Sequence, residues 1–402
     1  MRPKQTTRDI LAFNAGRDAQ RLQLKFQHLR QDPFAFFRGT NHLFLRRLPR
    51  SHAVFRAPAI WTCADLHLEN FGTYKGDNRL CYFDINDFDE ACLAPFTLDI
   101  VRFIASVHAA APMLKLSRGE RAILIRSFLS GYRDAVLSGK PRWVERSIAE
   151  GAIRDLLRRA MRRTRVQILD RYTRLGRKRR RLLPDDVRLF EAPESQLKSL
   201  RRLCKSLHTL GLAPSFFSLR DAAYRAAGNA SLGSPRFALL VRGRGSPDGN
   251  FILDLKRGDP SSAAGWSRLR QRAWSNEADR IASVQGLMQA IAPALLHAVR
   301  YAGTGYVLKE LQPTLDRLDL AQLRKRPRRM RRVLESMGRV TAWAHLRGCG
   351  RWGAQPVEEL QRHVQGLRWS APAEQLAVRV ATQLHQDWRE YCADYDAGRV
   401  VY

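Results

Sequence analysis

The sequence predicts an α+β protein with a large helical component. Three observations carry this. Apolar residues recur at helical spacing over long stretches, as in Ile10, Leu11, Phe13, Leu22, Leu24, Phe26 and Leu29. Residues 236–257 instead alternate apolar and polar about a glycine-rich turn, Arg242 to Asn250, the pattern of a β-hairpin. Shorter strand signals at 58–62 and 79–83 flank the turn Tyr74-Lys75-Gly76-Asp77-Asn78.

Taken in order, residues 6–31 read as one helix, capped by Thr6 or Thr7 and stopped by Asp32-Pro33. The aromatic segment Phe34 to Gly39 follows. The strand at 58–62 enters a loop carrying Asp65, and a strand returns at 79–83. Asn70 and Asp84 are therefore expected to face one another across a hairpin. Leu98 to Leu116 and Arg118 to Leu137 are apolar-periodic helices, with Asp99 at the start of the first. Residues 141–212 read as helical and very basic, with a dense run from Arg177 to Arg181. After the 236–257 hairpin come a helix at about 266–291, strands near 297–302 and 305–311, and helices from about 317 onward. This divides the chain into an N-terminal helical segment (1–56), a loop-bearing helical lobe (57–212), a small β-rich lobe (213–313) and C-terminal helices completing the helical lobe (314–402).

At 402 residues, 45% of them hydrophobic, the chain can bury a sizeable core. No apolar run reaches the ~20 residues that span a bilayer, and the N-terminus shows no secretory pattern. Six cysteines are scattered with no C-x-x-C pair, which argues against a zinc site or disulfide framework and for a reducing, cytoplasmic setting. The formal charge of +32 favours anionic partners: nucleotides, nucleic acid, acidic lipids or phosphorylated substrates. The Arg-rich runs at 154–181 and 324–332 are candidate polyanion surfaces, although they lack the interleaved aromatics of a base-stacking platform.

The chemistry concentrates in Cys63-Ala64-Asp65-Leu66-His67-Leu68-Glu69-Asn70 and Tyr82-Phe83-Asp84-Ile85-Asn86-Asp87-Phe88-Asp89-Glu90. Phosphoryl transfer needs a carboxylate beside the attacking hydroxyl, and an amide oxygen and a second carboxylate for magnesium. Asp65 suits the base, and Asn70 with Asp84 suits the metal, since magnesium takes one or two carboxylates plus phosphate oxygens and water. Asp87 and Asp89 are either further ligands or partners of nearby arginines. A calcium loop fails on spacing: Phe88 stands at its fifth position and no glycine at its sixth. In the second half, the turn Gly228-Asn229-Ala230-Ser231-Leu232-Gly233 lets backbone amides approach phosphate, and Lys256 on the next hairpin can reach it. Glu277 on the following helix is a candidate partner for Lys256, with Asp279 and Glu310 as rivals, and a solvated helix face is its simpler reading. His345, at Thr341-Ala-Trp-Ala-His345, reads more simply as a packing histidine than as a catalytic one.

Asp65-Leu66-His67-Leu68-Glu69-Asn70 followed by Phe83-Asp84 resembles the Gly-Asp-Leu-His-Pro-Gly-Asn and Ile-Asp pattern of aminoglycoside and choline phosphotransferases. Phe36-Phe37-Arg38-Gly39, the Asp65 and Asp84 segments, Gly228-x-x-Ser231-Leu-Gly233, Leu255-Lys256 and Leu287-Met288-Gln289 look like the bacterial family catalogued as domain of unknown function 2252, from about residue 30 to about residue 350. The resemblance implies a protein-kinase-like two-lobe fold. Because Asp65 and Asp84 precede Gly233 and Lys256, that fold would be circularly permuted. It further implies a phosphotransferase using ATP and Mg2+ on a small-molecule or anionic acceptor, with Asp99 supporting the Asp65 loop. Two departures stand out: Ala64 and Ala230 occupy positions where glycine is expected. The alternative is a catalytically inactive, kinase-like nucleotide- or polyanion-binding protein; a two-metal phosphohydrolase is a third reading.

Overall fold

The computed structural model describes residues 3–177, 179–185, 187–312, 317–366 and 368–401. The chain is a mixed α+β protein. Its N-terminal helices are α1 (Gln5–Phe13), α2 (Ala19–Gln31), α3 (Pro33–Gly39) and α4 (Asn41–Arg47). The single helix expected over 6–31 is thus two. Gly16 takes a left-handed φ of 78°, and the Asp18 carboxylate caps α2 by accepting from the Arg21 N–H. Asp32 caps α3 by accepting from the N–H groups of Phe34 and Ala35, each at 2.8 Å, with Pro33 in the first turn.

Two small antiparallel ladders follow. β1 (Ala59–Thr62) pairs with β4 (Cys92–Pro95), and between them β2 (Phe71–Lys75) pairs with β3 (Cys81–Ile85). Next come α5 (Thr97–Leu114) and α6 (Arg118–Ser138). Among the described residues α5 is the one helix long and apolar enough to cross a membrane; 83% of that stretch is buried inside the fold, where it is the central core helix.

The stretch expected to be helical over 141–212 is more varied. It contains α7 (Gly151–Arg162), α8 (Arg165–Tyr172), a hairpin of β5 (Thr173–Leu175) and β6 (Arg180–Leu182), then β7 (Leu189–Glu191) and α9 (Glu194–Ser206). Tertiary packing overrides the basic helical pattern here. Leu169, Tyr172, Leu182 and Leu189 seal one face of the main sheet against Ala238, Leu240 and Ile252. Lys178 of the basic run lies outside the described residues.

That sheet adds β8 (Leu219–Arg225), β9 (Arg236–Val241), β10 (Phe251–Arg257), β11 (His297–Tyr301) and β12 (Thr304–Glu310), in the antiparallel order β11-β12-β10-β9-β8-β7. The β9–β10 hairpin is the one its alternation predicts, with Phe251 opposite Val241 and Lys256 opposite Arg236. The helix expected at 266–291 is α10 (Ser262–Trp266) and, after a loop, α11 (Glu277–Met288), which starts where Asn276 accepts from the Asp279 N–H. The C-terminal part is α12 (Leu320–Arg324), α13 (Pro327–Gly348), α14 (Val357–Gln365) and α15 (Ser370–Asp396). α15 packs along α5, and α13 lies against α6.

The α6–α13 contact is unusually close. A Cβ on Gly131 would meet the Glu335 carbonyl, and one on Gly338 would meet the Phe128 carbonyl and the Tyr132 amide. Glycine at both positions lets the two backbones touch.

Candidate functional site

The site is built on the loop between β1 and β2. Asp99, in the first turn of α5, accepts from the N–H groups of Cys63 (3.0 Å) and Ala64 (2.8 Å). His345 Nε2 stands 3.1 Å from Oδ2, the same oxygen that accepts from Cys63, and the Tyr132 hydroxyl 2.9 Å from His345 Nδ1. A carboxylate only accepts, so in the neutral ring Nε2 carries the proton and Nδ1 accepts from Tyr132. All three side chains are fully buried. His345 is therefore a positioning residue. The chain it anchors holds Ala64 at a left-handed φ of 57°, the conformation that explains why glycine was expected there.

The turn at Ala64 presents Asp65. Its Oδ1 accepts from Arg102 Nε (3.0 Å) and Nη2 (2.8 Å), and Arg102 also donates to the Phe37 carbonyl. The guanidinium is wholly buried, 3.6 Å from the ring centre of Phe37 and 4.5 Å from that of Phe44. Burial pushes the Asp65 carboxyl up to about 7, with Arg102 opposing the rise.

Asn70 ties this loop to the acidic turn. Its Nδ2 donates to the Asp65 carbonyl (3.1 Å), its Oδ1 accepts from the Asp87 N–H (2.8 Å), and its backbone carbonyl accepts from the Asn86 N–H. The β2–β3 register, Phe71 opposite Ile85, therefore brings Asn86 and Asp87 to Asn70. Asp84 is opposite Gly72 instead, and its carboxylate does not line the cavity. It accepts from the Ile85 N–H (2.8 Å) near Arg347 and Tyr74. The expectation that Asp84 faces Asn70 misses by two residues of strand register.

Burial pushes the Asp84 carboxyl up to about 6, against the pull of Arg347. The sign follows directly. The folded state holds this proton more tightly than the unfolded chain, so stability falls as pH rises from about 4 to about 6. Asp84→Asn should raise the melting temperature at pH 8, by an amount worth at most about 3 kcal/mol, and the gain should vanish near pH 4. Thermal melts at the two pH values check this; an equal gain at both, or a loss at pH 8, would refute it.

The facing wall comes from the main sheet. Gly228 and Gly233, with φ of 79° and 86°, shape the turn between β8 and β9. That turn is fastened to the N-terminal helices. Arg17 (2.9 Å) and Lys25 (2.7 Å) both donate to the Ala230 carbonyl, Asn229 donates to the Ala35 carbonyl (2.6 Å), and the Asp18 N–H donates to the Gly233 carbonyl. Gly228 lines the main cavity, Ser231 lines a smaller adjoining one, and Gly233 packs against Leu22.

Lys256 on β10 pairs with Asp89, not with Glu277. Glu277 pairs with Arg280 at 2.6 Å, and Arg280 in turn donates to the carbonyls of Asp89, Ala91 and Asp259. The helix thus acts on the acidic turn through an arginine. Glu310 pairs with Arg79. Asp254, two residues before Lys256, is gripped by Arg225 (2.9 Å) and Arg236 (2.5 Å), whose charges hold its carboxyl far below the usual range despite burial.

Between the walls is a cavity of about 160 Å3. Asp65, Asn70, Asp87 and Asp89 line one side; Lys256, Lys309 and Arg236 line the other, with Arg317 and Arg38 also on its edge. Lys309 and Arg317 have no ion-pair partner among the described residues. No cluster of three or more His, Cys, Asp or Glu that could hold a metal occurs among the described residues. The donors here, the Asp87 carboxylate and the free lone pair of Asn70 Oδ1, fit magnesium only in its phosphate-assisted mode, where substrate and water complete the shell.

Lys309, Arg317 and Arg102 were not singled out from the sequence, and Asp87 entered it only as a further ligand or a partner of nearby arginines. Lys309 carried a signal, being a second scarce lysine on an apolar strand, Tyr306-Val-Leu-Lys309. The Arg-rich runs lie on α7, α8, the β5–β6 hairpin, the end of α12 and the start of α13, and none of their described residues lines this cavity.

A family model described as an uncharacterized protein conserved in bacteria, domain of unknown function 2252, matches residues 17–394. No curated protein and no solved structure matches the chain.

Proposed function

Since the chain belongs to this uncharacterized bacterial family, its activity has to be read from the site, and we propose an ATP- and magnesium-dependent phosphotransferase acting on a small acceptor. One observation carries the reading: Asp65 and Asp87, whose backbones Asn70 joins through the Asp65 carbonyl and the Asp87 N–H, line a single cavity with Lys256 and Lys309. Cations on one wall suit a polyphosphate, and the acidic wall suits the reacting end of that polyphosphate. Lys309, partly desolvated and unpaired, has an anion still to meet.

In this reading Lys256, Lys309 and Arg317 bind and orient the phosphates. Asp87 and Asn70 would hold magnesium, which when bound neutralises phosphate charge. Asp65 takes the proton of the acceptor hydroxyl. Gly228 lets the turn approach the nucleotide closely, and the Asp99–His345–Tyr132 chain fixes the Asp65 loop. A circularly permuted, kinase-like pairing of lobes is part of the proposal. It is supported by the order of parts in the sheet: a glycine turn, a lysine strand, the helix α11, then β11 and β12.

Calorimetric titration of ATP with magnesium tests it. The native chain should bind, and Asp87→Ala and Lys256→Ala should each weaken binding by roughly tenfold or more, as loss of a charged partner does. Absence of binding to the native chain would overturn the reading.

A further inference from the structure

The β5–β6 hairpin is a two-stranded ladder of its own, outside the main sheet. Its register sets Thr173 opposite Leu182, Arg174 opposite Arg181 and Leu175 opposite Arg180. Side chains alternate across a ribbon, so the hairpin has two unlike faces. Thr173, Arg180 and Leu182 are buried and root it. The Arg180 guanidinium, 2% exposed, is clasped by Asp170 (2.6 Å) and Asp248 (2.9 Å), and the Leu182 N–H donates to the Asp221 carboxylate on β8 (2.9 Å).

The other face is arginine. Arg174 and Arg181 stand side by side across the ribbon, their backbones about 5 Å apart. Arg177 and Arg179 flank the turn, where the Gly176 N–H donates to the Arg179 carbonyl. All four arginines are exposed. With Gly176 they are the described residues that line a concavity of about 490 Å3. None of the four guanidiniums has an ion-pair partner among the described residues. Like charges set directly opposite on a ladder weaken it. Asp170 and Asp248, the carboxylates that would relieve this, are engaged with Arg180 on the rooted face.

We infer that this hairpin is a docking element for duplex nucleic acid, whose phosphates the four arginines hold. Three features select that partner. Guanidinium forks match phosphate oxygens in pairs. A two-stranded ribbon is an element that the major groove of a duplex admits. The surface is also concave: a rod lined with phosphates fills such a cradle, whereas a flat lipid surface meets only its rim. No aromatic ring lines the space among the described residues, so an unpaired strand gains no stacking there. The contacts are to backbone phosphates, so recognition follows charge and shape and not base sequence.

Fluorescence anisotropy of the full chain with a labelled duplex DNA of mixed sequence tests this, in salt from about 50 mM to about 200 mM. Four phosphate contacts give log K against log salt a slope of about −3.6 or steeper, a loss of roughly 10²-fold over that range. Arg174→Gln with Arg181→Gln should flatten the slope by about 1.8 and weaken binding by roughly tenfold or more. The melting temperature of that variant should be unchanged or higher, because a repulsion has been removed; a merely structural pair would lower it. Arg177→Gln with Arg179→Gln, at the turn, should reproduce the loss of binding without touching the ladder. Arg328→Gln with Arg331→Gln, an exposed pair at the start of α13, is the charge-matched control and should leave the slope nearly unchanged. No duplex binding at the lowest salt, an equal loss in the control, or full affinity in both hairpin variants would overturn the assignment. Tighter binding to the unpaired strand, or to vesicles containing phosphatidylserine, would overturn it as well.

Discussion

Asp65→Asn should cut phosphoryl transfer by roughly 10²–10⁴-fold while leaving ATP affinity nearly unchanged. The asymmetry follows from geometry. Asp65 lines the cavity, and Arg102 engages only Oδ1. An asparagine preserves that acceptor, so Arg102 keeps its two bonds and the fold survives, but the amide cannot take a proton. Because burial lifts the Asp65 carboxyl to about 7, the native rate should climb as pH rises through 7, when the carboxylate form appears. Initial rates between pH 5.5 and 8.5 with a phosphorylatable acceptor check both parts. Loss of nucleotide binding in Asp65→Asn would mean the residue has another role, and a flat pH profile would remove it as the base.

Gly338→Ala should be the most damaging single methyl in the molecule. The added carbon is driven into the backbone of α6, at the Phe128 carbonyl and the Tyr132 amide, and backbone cannot rotate away as a side chain can. Overpacking of this kind costs roughly 1–3 kcal/mol or more. The damage should reach the site, because Tyr132 and His345 sit on these two helices and hold Asp99. Gly131→Ala should behave similarly, and the double variant should fall short of additivity, since separating the helices once relieves both clashes. Gly286→Ala on α11, where nothing lies within 4 Å of the new carbon, is the control and should be neutral or mildly stabilising. Urea unfolding measures all four. A loss below about 0.5 kcal/mol in Gly338→Ala, the scale of ordinary surface changes, would show that the helices can part freely.

The parts of the site that were legible in the sequence are local ones. Asp65 and Asn70 stand on one tight loop, so their five-residue spacing is itself geometry. The β9–β10 hairpin was legible because alternation and turn chemistry agree. The carboxylate beside Asn70 was not. Asp84 and Asp87 lie three residues apart on the same acidic stretch, and only the β2–β3 register decides which reaches Asn70. The partner of Lys256 was hidden for a similar reason. Asp89, Glu277 and Glu310 are chemically alike, and choosing among them needs the position of α11, where Arg280 intercepts Glu277. The split of the first helix was written in Asn14-Ala-Gly16-Arg17-Asp18, a stop followed by a cap, but the apolar spacing on both sides outweighed it. The strands inside the arginine-rich stretch left almost no local trace, because their apolar residues are few and are recruited by the sheet.

The carboxylate of Asp99 receives both the loop ahead of Asp65 and a histidine 246 residues further along the chain. The turn carrying Gly228 is likewise held by Arg17 and Lys25, more than 200 residues before it. The centre is therefore tied together by its most distant stretches, and no contiguous fragment possesses it. A ribosome must deliver His345 before the Asp65 loop can assume its working shape. Assembly of the centre is a late event in the life of each new molecule, and a chain halted short of α13 is a chain without a site.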